Sequence, residues 1–203
     1  MKYSFPWITL VVSVSVLLSC SQSSKKIVEP TAEEQEIIIA KGEAIAVALV
    51  QSLKSEVKQA IESKGVEEAI AVCNLEAIPL TNQIEELSGR DISIKRTSFR
   101  FRNPENEPDE IETLALSYFE MLYAQGKEIP QAYTHKVMMG TDTLYYYYKP
   151  MKMEALCLLC HGGEETIAQG VKGILSTLYP DDRATGYQEG DFRGLIRVKF
   201  PHI

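Results

Sequence analysis

The chain after residue 30 begins with apolar residues at helical spacing. They are Ile38, Ile45, Leu49, Leu53, Val57 and Ile61. A stripe of this kind, with steps of three, four or seven residues, is typical of one face of an amphipathic helix. Thr31 and Glu34 predict a capping box at the start of the helix. Gly65, directly after Lys64, predicts its end.

A second helical segment follows and contains a proline. Residues 66–75 predict a helix, and Pro79 predicts a break because proline lacks the N–H that a helix interior needs. A further helix is expected over residues 81–87. Gly89 is expected to end this helical third of the protein.

Strand and helix signals then alternate. Residues 91–101 are rich in β-branched and aromatic side chains and predict a strand. The Asn- and Pro-rich stretch 103–108 predicts a turn. Asp109 and Glu112 form an N-cap and N3 pair, which predicts a helix through about Tyr123.

The last part of the chain predicts antiparallel strands. Residues 137–139 and 143–149 predict a hairpin joined at residues 140–142. A helix is expected over residues 164–178. Residues 192–200 alternate between apolar and basic side chains, as in a half-buried strand. Helices followed by an antiparallel sheet with an inserted helix form an α+β pattern.

Length, composition and net charge indicate how many domains the chain has and which partners it is not expected to bind. The chain has 203 residues, of which 45% are hydrophobic and 24% charged. This length suits a single domain, which we assign to residues 31–203. The formal net charge is −7, so a nucleic-acid partner is not expected.

The N-terminus has the pattern of an export signal. The apolar run over residues 7–18 is too short to span a bilayer, and it suits a signal peptide at residues 1–19. Leu, Leu and Ser directly precede Cys20, which resembles the lipobox of bacterial lipoproteins. A plain signal peptide or a buried apolar segment is the alternative. We expect lipid on Cys20, a tether over residues 20–30, and an extracytoplasmic protein anchored on the periplasmic side or at the outer membrane.

One sequence motif indicates that the protein binds a cofactor. Cys157, Cys160 and His161 form C-x-x-C-H, the attachment signature of c-type haem. Two thiols at this spacing reach the two vinyl groups of one porphyrin, and the next residue offers its imidazole to the iron. A redox-active cysteine pair or a zinc site is the alternative, although a second pair of zinc ligands at similar spacing is missing from the sequence. We expect one covalent haem c.

The second axial ligand of the iron decides the function. It sets the reduction potential of the iron and determines whether a coordination position stays open. No Met follows His161, which excludes the arrangement of small electron-carrying cytochromes c. Cys73 is the cysteine left over once Cys20 carries lipid and the motif cysteines carry haem. It is either a small buried apolar residue or a thiolate ligand. The other candidates are Met121, Met138, Met139, Met151, Met153, His135 and His202.

Basic residues cluster on the strand predicted over residues 91–101. Counted by alternation from Ile94, the side chains of Arg96, Arg100 and Arg102 fall on the apolar face. Buried cations need partners, and the two haem propionates would supply them. The alternative is a bulge that turns the arginines to solvent.

Five segments occur along the chain in an order that carries a resemblance. They are residues 69–73, 96–98, 102–109, 157–162 and 190–191. With these segments the chain resembles a family of periplasmic single-haem c domains with a PAS-like fold, long catalogued as a domain of unknown function, over roughly residues 35–200. In that family the motif His and an early helical Cys hold the iron, and the resemblance implies that the matching residues here are His161 and Cys73.

The resemblance implies a sensor. A thiolate lowers the reduction potential of haem iron, and an Fe–S bond that weakens on reduction would free a site for NO or CO. We expect a redox or diatomic-gas sensing module with a PAS-like sheet, working with a redox or signalling partner protein. A low-potential electron-transfer cytochrome is the alternative. Enzymatic activity of the peroxidase kind is not expected, because Cys73 would occupy the position that it needs.

Overall fold

The computed structural model describes residues 25–89 and 91–203, apart from the side chains of residues 72–74. The predictions for residues 1–19 and for Cys20 lie outside the described residues. The helices of the described part are α1 (Ala32–Lys64), α2 (Val66–Ser88), α3 (Glu110–Ala124), α4 (Leu158–His161) and α5 (Gln169–Leu178). Its strands are β1 (Lys25–Val28), β2 (Ser93–Thr97), β3 (Tyr133–Met139), β4 (Asp142–Lys152) and β5 (Phe192–Phe200).

Both predicted capping boxes are confirmed. The Thr31 hydroxyl accepts a hydrogen bond from the Glu34 backbone N–H at 3.2 Å, and the Glu34 carboxylate accepts one from Thr31 N–H at 2.9 Å. Asp109 and Glu112 exchange the same pair of bonds at the start of α3. Each box satisfies two N–H groups that a helix start otherwise leaves unpaired.

The break predicted at Pro79 is wrong, because α2 continues from Val66 to Ser88 with Pro79 inside it. Proline removes one helical N–H, whose acceptor would be the carbonyl of Leu75. Leu75 is 67% exposed, so this turn of the helix lies on its outer side. The packing of α2 along α1 outweighs the local cost.

The five strands form one antiparallel sheet in the order β1-β3-β4-β5-β2. The predicted hairpin is confirmed, since Met139 pairs with Asp142 across a two-residue turn. Gly140 adopts φ +62° there, as such a turn requires. The α+β prediction is confirmed.

Strand β1 lies in the segment that we predicted as a tether. Lys25 pairs with Met139 and Val28 with Lys136, so these residues complete the outer edge of β3. An unpaired edge exposes a row of backbone N–H and C=O groups, and pairing satisfies them. The folded domain therefore begins at least as early as Lys25.

Helices cover both faces of the sheet. Helix α1 packs with Tyr147, Ile196 and Val198 on one face, and α3 packs with Tyr148 and Phe192 on the other. Strand β5 is therefore buried on both faces. Its alternating sequence had predicted burial on one face only, so that prediction is wrong.

Two predicted elements are shorter in the structure. Strand β2 ends at Thr97, and α5 begins at Gln169, after a turn in which Thr166 donates to the Gly163 carbonyl. Within the described ranges, no helix is both long and apolar enough to cross a membrane.

Candidate functional site

The C-x-x-C-H motif forms the short helix α4 and the turn that leads into it. A 3₁₀ turn covers Ala155–Cys157, and α4 continues over Leu158–His161. Cys157 and Cys160 are half-buried and both line a cavity. One helical turn separates the two thiols, so the motif offers them to one side, together with the His161 side chain, which lines the same cavity.

The imidazole of His161 is oriented by the backbone. Its Nδ1–H donates to the Ala184 carbonyl, with 2.6 Å between nitrogen and oxygen. Burial, together with the charges of Arg102 and Arg193, lowers the pKa of His161 well below its usual range. The ring is therefore neutral with its proton on Nδ1, which leaves a lone pair on Nε2. A metal-ligating histidine needs this state.

The loop that supplies the Ala184 carbonyl is itself fixed to the motif. Tyr187 N–H donates to the His161 carbonyl at 3.0 Å, and Gly186 N–H donates to the Gly162 carbonyl at 2.6 Å. Asp182 accepts from Ala184 N–H at 2.8 Å. These bonds hold the motif and the 182–187 loop as one unit.

Gly162 permits this close packing. A Cβ atom at position 162 would lie 2.6 Å from the Leu158 carbonyl oxygen and 2.5 Å from the Thr166 hydroxyl. A Cβ at Gly163 would meet nothing closer than 3.9 Å. The first glycine of the pair is therefore required by space, and the second is not.

The cavity has two neighbouring lobes. The helix-side lobe, of about 490 Å³, lies between α1, α2 and the motif. Its apolar wall consists of Leu53, Val57, Ile61, Ile70, Ala77 and Leu80. The strand-side lobe, of about 350 Å³, lies against the ends of β2, β4 and β5. His161 and Cys157 line both lobes.

Position 73 lies in α2 beside the helix-side lobe. It follows Ile70 by three residues and precedes Ala77 by four, and both of those residues line the lobe. These steps put the three positions on one face of the helix. The Cys73 side chain is not among the described ones, so ligation by this thiol stays a prediction.

The three predicted arginines lie in different surroundings. Arg96 lines both lobes. Arg102 lines the helix-side lobe, where its Nε is 3.0 Å from Asp182 and its Nη2 donates to the Cys160 carbonyl. Arg100 is exposed and does not line the cavity, because β2 ends at Thr97 and the alternation that placed Arg100 inward stops there.

Arg193 is a cavity residue that the sequence analysis missed. It lines both lobes, although alternation along the last strand assigned it to the polar face. Gly194 follows with φ +143°, and the pairing of β4 and β5 shifts register at Met151 and Lys152. A lone glycine inside a strand pattern is the signal that predicts such an irregularity.

The other candidate iron ligands are dispersed. His135 is buried on the α3 side of the sheet beside Tyr148, and His202 is exposed. Met151 and Met153 line the strand-side lobe. Among the described residues, no group of three or more His, Cys, Asp and Glu side chains could hold a metal ion.

These features define an α+β protein with a two-lobed cavity that ends on a C-x-x-C-H turn. Residues 22–201 match the model of the Tll0287-like family, and the chain belongs to this family. Its fold is similar to the crystal structure of the cyanobacterial haem protein Tll0287, with a TM-score of 0.56 and 23% identity. The match covers 86% of this chain and 98% of that one. No curated protein matches the chain.

Proposed function

We propose that the protein binds one haem c, with Cys157 and Cys160 as the covalent attachment points and His161 as an iron ligand. The observation that carries the proposal is the hydrogen bond from His161 Nδ1 to the Ala184 carbonyl, beside two thiols on the same cavity wall. The helix-side lobe supports it, since its apolar wall and its volume suit a flat apolar cofactor. The description of Tll0287 as a haem protein supports it as well.

Cys73 is the proposed second ligand of the iron. Its position on the cavity face of α2 and the resemblance described above support this assignment. A bound haem supplies one-electron chemistry and a site for diatomic ligands. The protein holds the His161 ring in one tautomer and lines the helix-side lobe with apolar side chains of α1 and α2. The proposed second ligand belongs to a different element, α2.

The function that this arrangement supports best is redox or diatomic-gas sensing. A ligand on α2 and a ligand on α4 belong to different elements, so loss of either bond would change how those elements pack. The PAS-like description of the sheet belongs to the same proposal, as does a partner protein that receives the signal.

Low-potential electron transfer is the second candidate, because apolar side chains are exposed at the motif. Leu156 is 42% exposed and Leu159 is 38% exposed, directly beside the two cysteines. An exposed apolar rim is what an electron-transfer partner would contact. CO binding to the reduced protein, measured by absorption, separates the two functions. Rapid CO binding supports sensing, and an unreactive iron with fast electron exchange favours transfer.

Covalent attachment is tested first. In a host that matures c-type haem, the chain is expected to carry haem that survives denaturing electrophoresis and stains for peroxidase activity. Cys157→Ala combined with Cys160→Ala is expected to abolish the stain. A wild-type chain without bound haem would refute the proposal.

The axial ligands are tested by absorption and electron paramagnetic resonance of the ferric protein. We expect a low-spin thiolate signature that is lost in Cys73→Ala and kept in Met153→Ala. The methionine variant is the matched control, since Met153 lines the strand-side lobe. A spectrum that changes in Met153→Ala and not in Cys73→Ala would move the ligand to the methionine.

Anchoring through lipid on Cys20 completes the proposal, with the protein on the extracytoplasmic side of a membrane. The chain between Cys20 and Lys25 spans five Cα steps, or about 18 Å at full extension, so the sheet would lie close to the bilayer. Radiolabelled palmitate is expected to enter the wild-type chain. Cys20→Ala is expected to block this labelling, and equal labelling of the variant would refute the anchor.

A further inference from the structure

Arg193 places a positive charge on the inner wall of the cavity. It lies at the start of β5 and lines both the helix-side and the strand-side lobe. Burial lowers the pKa of its guanidinium below the usual value, which means that the surroundings disfavour the charge. A cation in such a position calls for an anionic partner.

Among the described residues Arg193 forms no ion pair of its own. Its Nη1 donates to the backbone carbonyl of Arg100 at 3.0 Å. Its guanidinium also hydrogen-bonds the Tyr187 side chain and lies 5.4 Å from the centre of that ring. The negative charge of Asp182 raises the pKa of Arg193, but the Asp182 carboxylate is already paired with Arg102 at 3.0 Å.

Three carboxylates of the described residues line the cavity. Glu154 pairs with Lys54, which lines both lobes. Glu56 on α1 and Glu76 on α2 line the helix-side lobe. The other cations that line the two lobes are Lys58, Lys149, Lys152, Arg96 and Arg102, and Lys149 pairs with Glu43 at 2.6 Å. The strand-side lobe thus carries Arg96, Arg193 and three lysines against one glutamate, and two of these lysines are paired.

We infer that Arg193 binds a propionate carboxylate of the haem, and this inference rests on the proposed haem function. The porphyrin is apolar and its two propionates are its negative groups, so the apolar helix-side lobe and the basic strand-side lobe match its two ends. A guanidinium offers paired N–H donors to a carboxylate. Arg193 therefore takes the role for which Arg100 was predicted, while Arg100 bonds to backbone carbonyls outside the cavity.

The position of Arg193 links this carboxylate to the iron ligand. The Tyr187 ring that it approaches lies edge-on to the His161 ring, with 6.4 Å between ring centres. Tyr187 N–H also bonds to the His161 carbonyl. The same loop thus positions an axial ligand and packs against the proposed propionate partner.

The test is the pH dependence of the haem reduction potential in the matured, full-length protein. A propionate that ionises favours the ferric iron, so the potential falls as pH rises through its pKa. An adjacent cation lowers the pKa of a carboxyl group by about 1–3 units. In Arg193→Gln the pH at which the potential falls is therefore expected to rise by about 1–3 units. In Arg193→Lys the same pH is expected to rise by less.

Lys199→Gln is the matched control, since it removes a positive charge from the same strand at a position that lines neither lobe, and it is expected to leave the profile in place. An unchanged profile in Arg193→Gln would overturn the inference. An equal shift in Lys199→Gln would also overturn it, because the shift would then come from the loss of any positive charge and not from a specific contact. A wild-type chain without haem would overturn the proposed function, whereas a haem-bearing Arg193→Gln protein with the wild-type profile overturns this inference alone.

Discussion

The Nδ1 atom of His161 lies 2.6 Å from the carbonyl oxygen of Ala184. The two residues are 23 positions apart in the chain, and the bond is made possible by a loop that returns to the motif. Asp182 holds this loop, because its carboxylate accepts from Ala184 N–H at 2.8 Å and pairs with Arg102 at 3.0 Å. The outer partner of a ligating histidine tunes the metal.

In the proposed haem-bound protein, Asp182→Ala is therefore expected to raise the reduction potential of the haem. The variant removes a negative charge and loosens the Ala184 carbonyl, and both changes disfavour the ferric state. We expect a shift on the order of 50 mV, which is roughly tenfold in a one-electron equilibrium. Redox titration measures it. Asp182→Asn keeps an acceptor for Ala184 N–H, so its shift is expected to be smaller. Equal shifts in the two variants would mean that the carbonyl position has no effect.

Gly162→Ala is expected to destabilise the motif. The added Cβ would lie 2.6 Å from the Leu158 carbonyl oxygen, and such overpacking typically costs about 1–3 kcal/mol. Gly163→Ala is the matched control, with its nearest atom at 3.9 Å and an expected effect of about 0.5 kcal/mol or less. Urea unfolding measures both. A Gly162→Ala protein as stable as the control would contradict the close approach.

Glu112→Ala is expected to be strongly destabilising. The Glu112 side chain is fully buried, and its two oxygens meet Lys95 at 2.9 Å and Arg197 at 3.0 Å. Removal of one partner from a buried ion cluster costs about 3–5 kcal/mol because the other charges lose their compensation. Glu110→Ala in the same helical turn is the control, since Glu110 is 90% exposed.

Chemical denaturation of both variants gives the free energies of unfolding. The Glu110 variant is expected to differ from wild type by less than about 1 kcal/mol. Similar losses in the two variants would show that the cluster adds little to stability.

His135 predicts a loss of stability in acid. Its ring is buried on the α3 side of the sheet, where Tyr146 and Tyr148 flank it. This burial lowers the pKa of His135 from 6.5 to about 4. A group with a depressed folded-state pKa contributes its full stability above pH 6.5 and loses it as pH falls toward 4. The difference of 2.5 units corresponds to about 3 kcal/mol.

His135→Phe keeps an aromatic ring without the titration, so its stability is expected to fall less between pH 7 and pH 4. Urea unfolding at several pH values measures the difference. His202→Gln alters an exposed histidine and is expected to follow wild type. A His135→Phe protein with the wild-type pH dependence would show that other groups cause the acid loss.

Local chemistry made several elements predictable. The capping boxes at Thr31 and Asp109 and the turn at Gly140 depend on residues within three or four positions of one another, and all three are confirmed. The C-x-x-C-H spacing also belongs to a single turn, and Cys157 and Cys160 line one cavity in the structure. Haem attachment at these two residues stays a prediction.

Long-range packing decided the rest. Helix α2 continues through Pro79 because α1 supports it along its length, and residues 25–28 form a strand because the edge of β3 needs partners. The sequence indicated only a capping role for Glu112. In the structure Glu112 also forms an ion cluster with Lys95 and Arg197, and this cluster joins α3, β2 and β5.

The sequence by itself determined the starts of α1 and α3, the hairpin, the α+β class and the motif, because each depends on neighbouring residues or on a repeated pattern. Only the tertiary structure decided which cations line the cavity, since alternation from Ile94 cannot be counted beyond the end of β2 at Thr97. Arg100 is turned outward by that ending, and the irregularity at Gly194 accompanies the inward position of Arg193. The partner of His161 was likewise hidden in the sequence, because a backbone carbonyl exists at every residue and only folding selects Ala184.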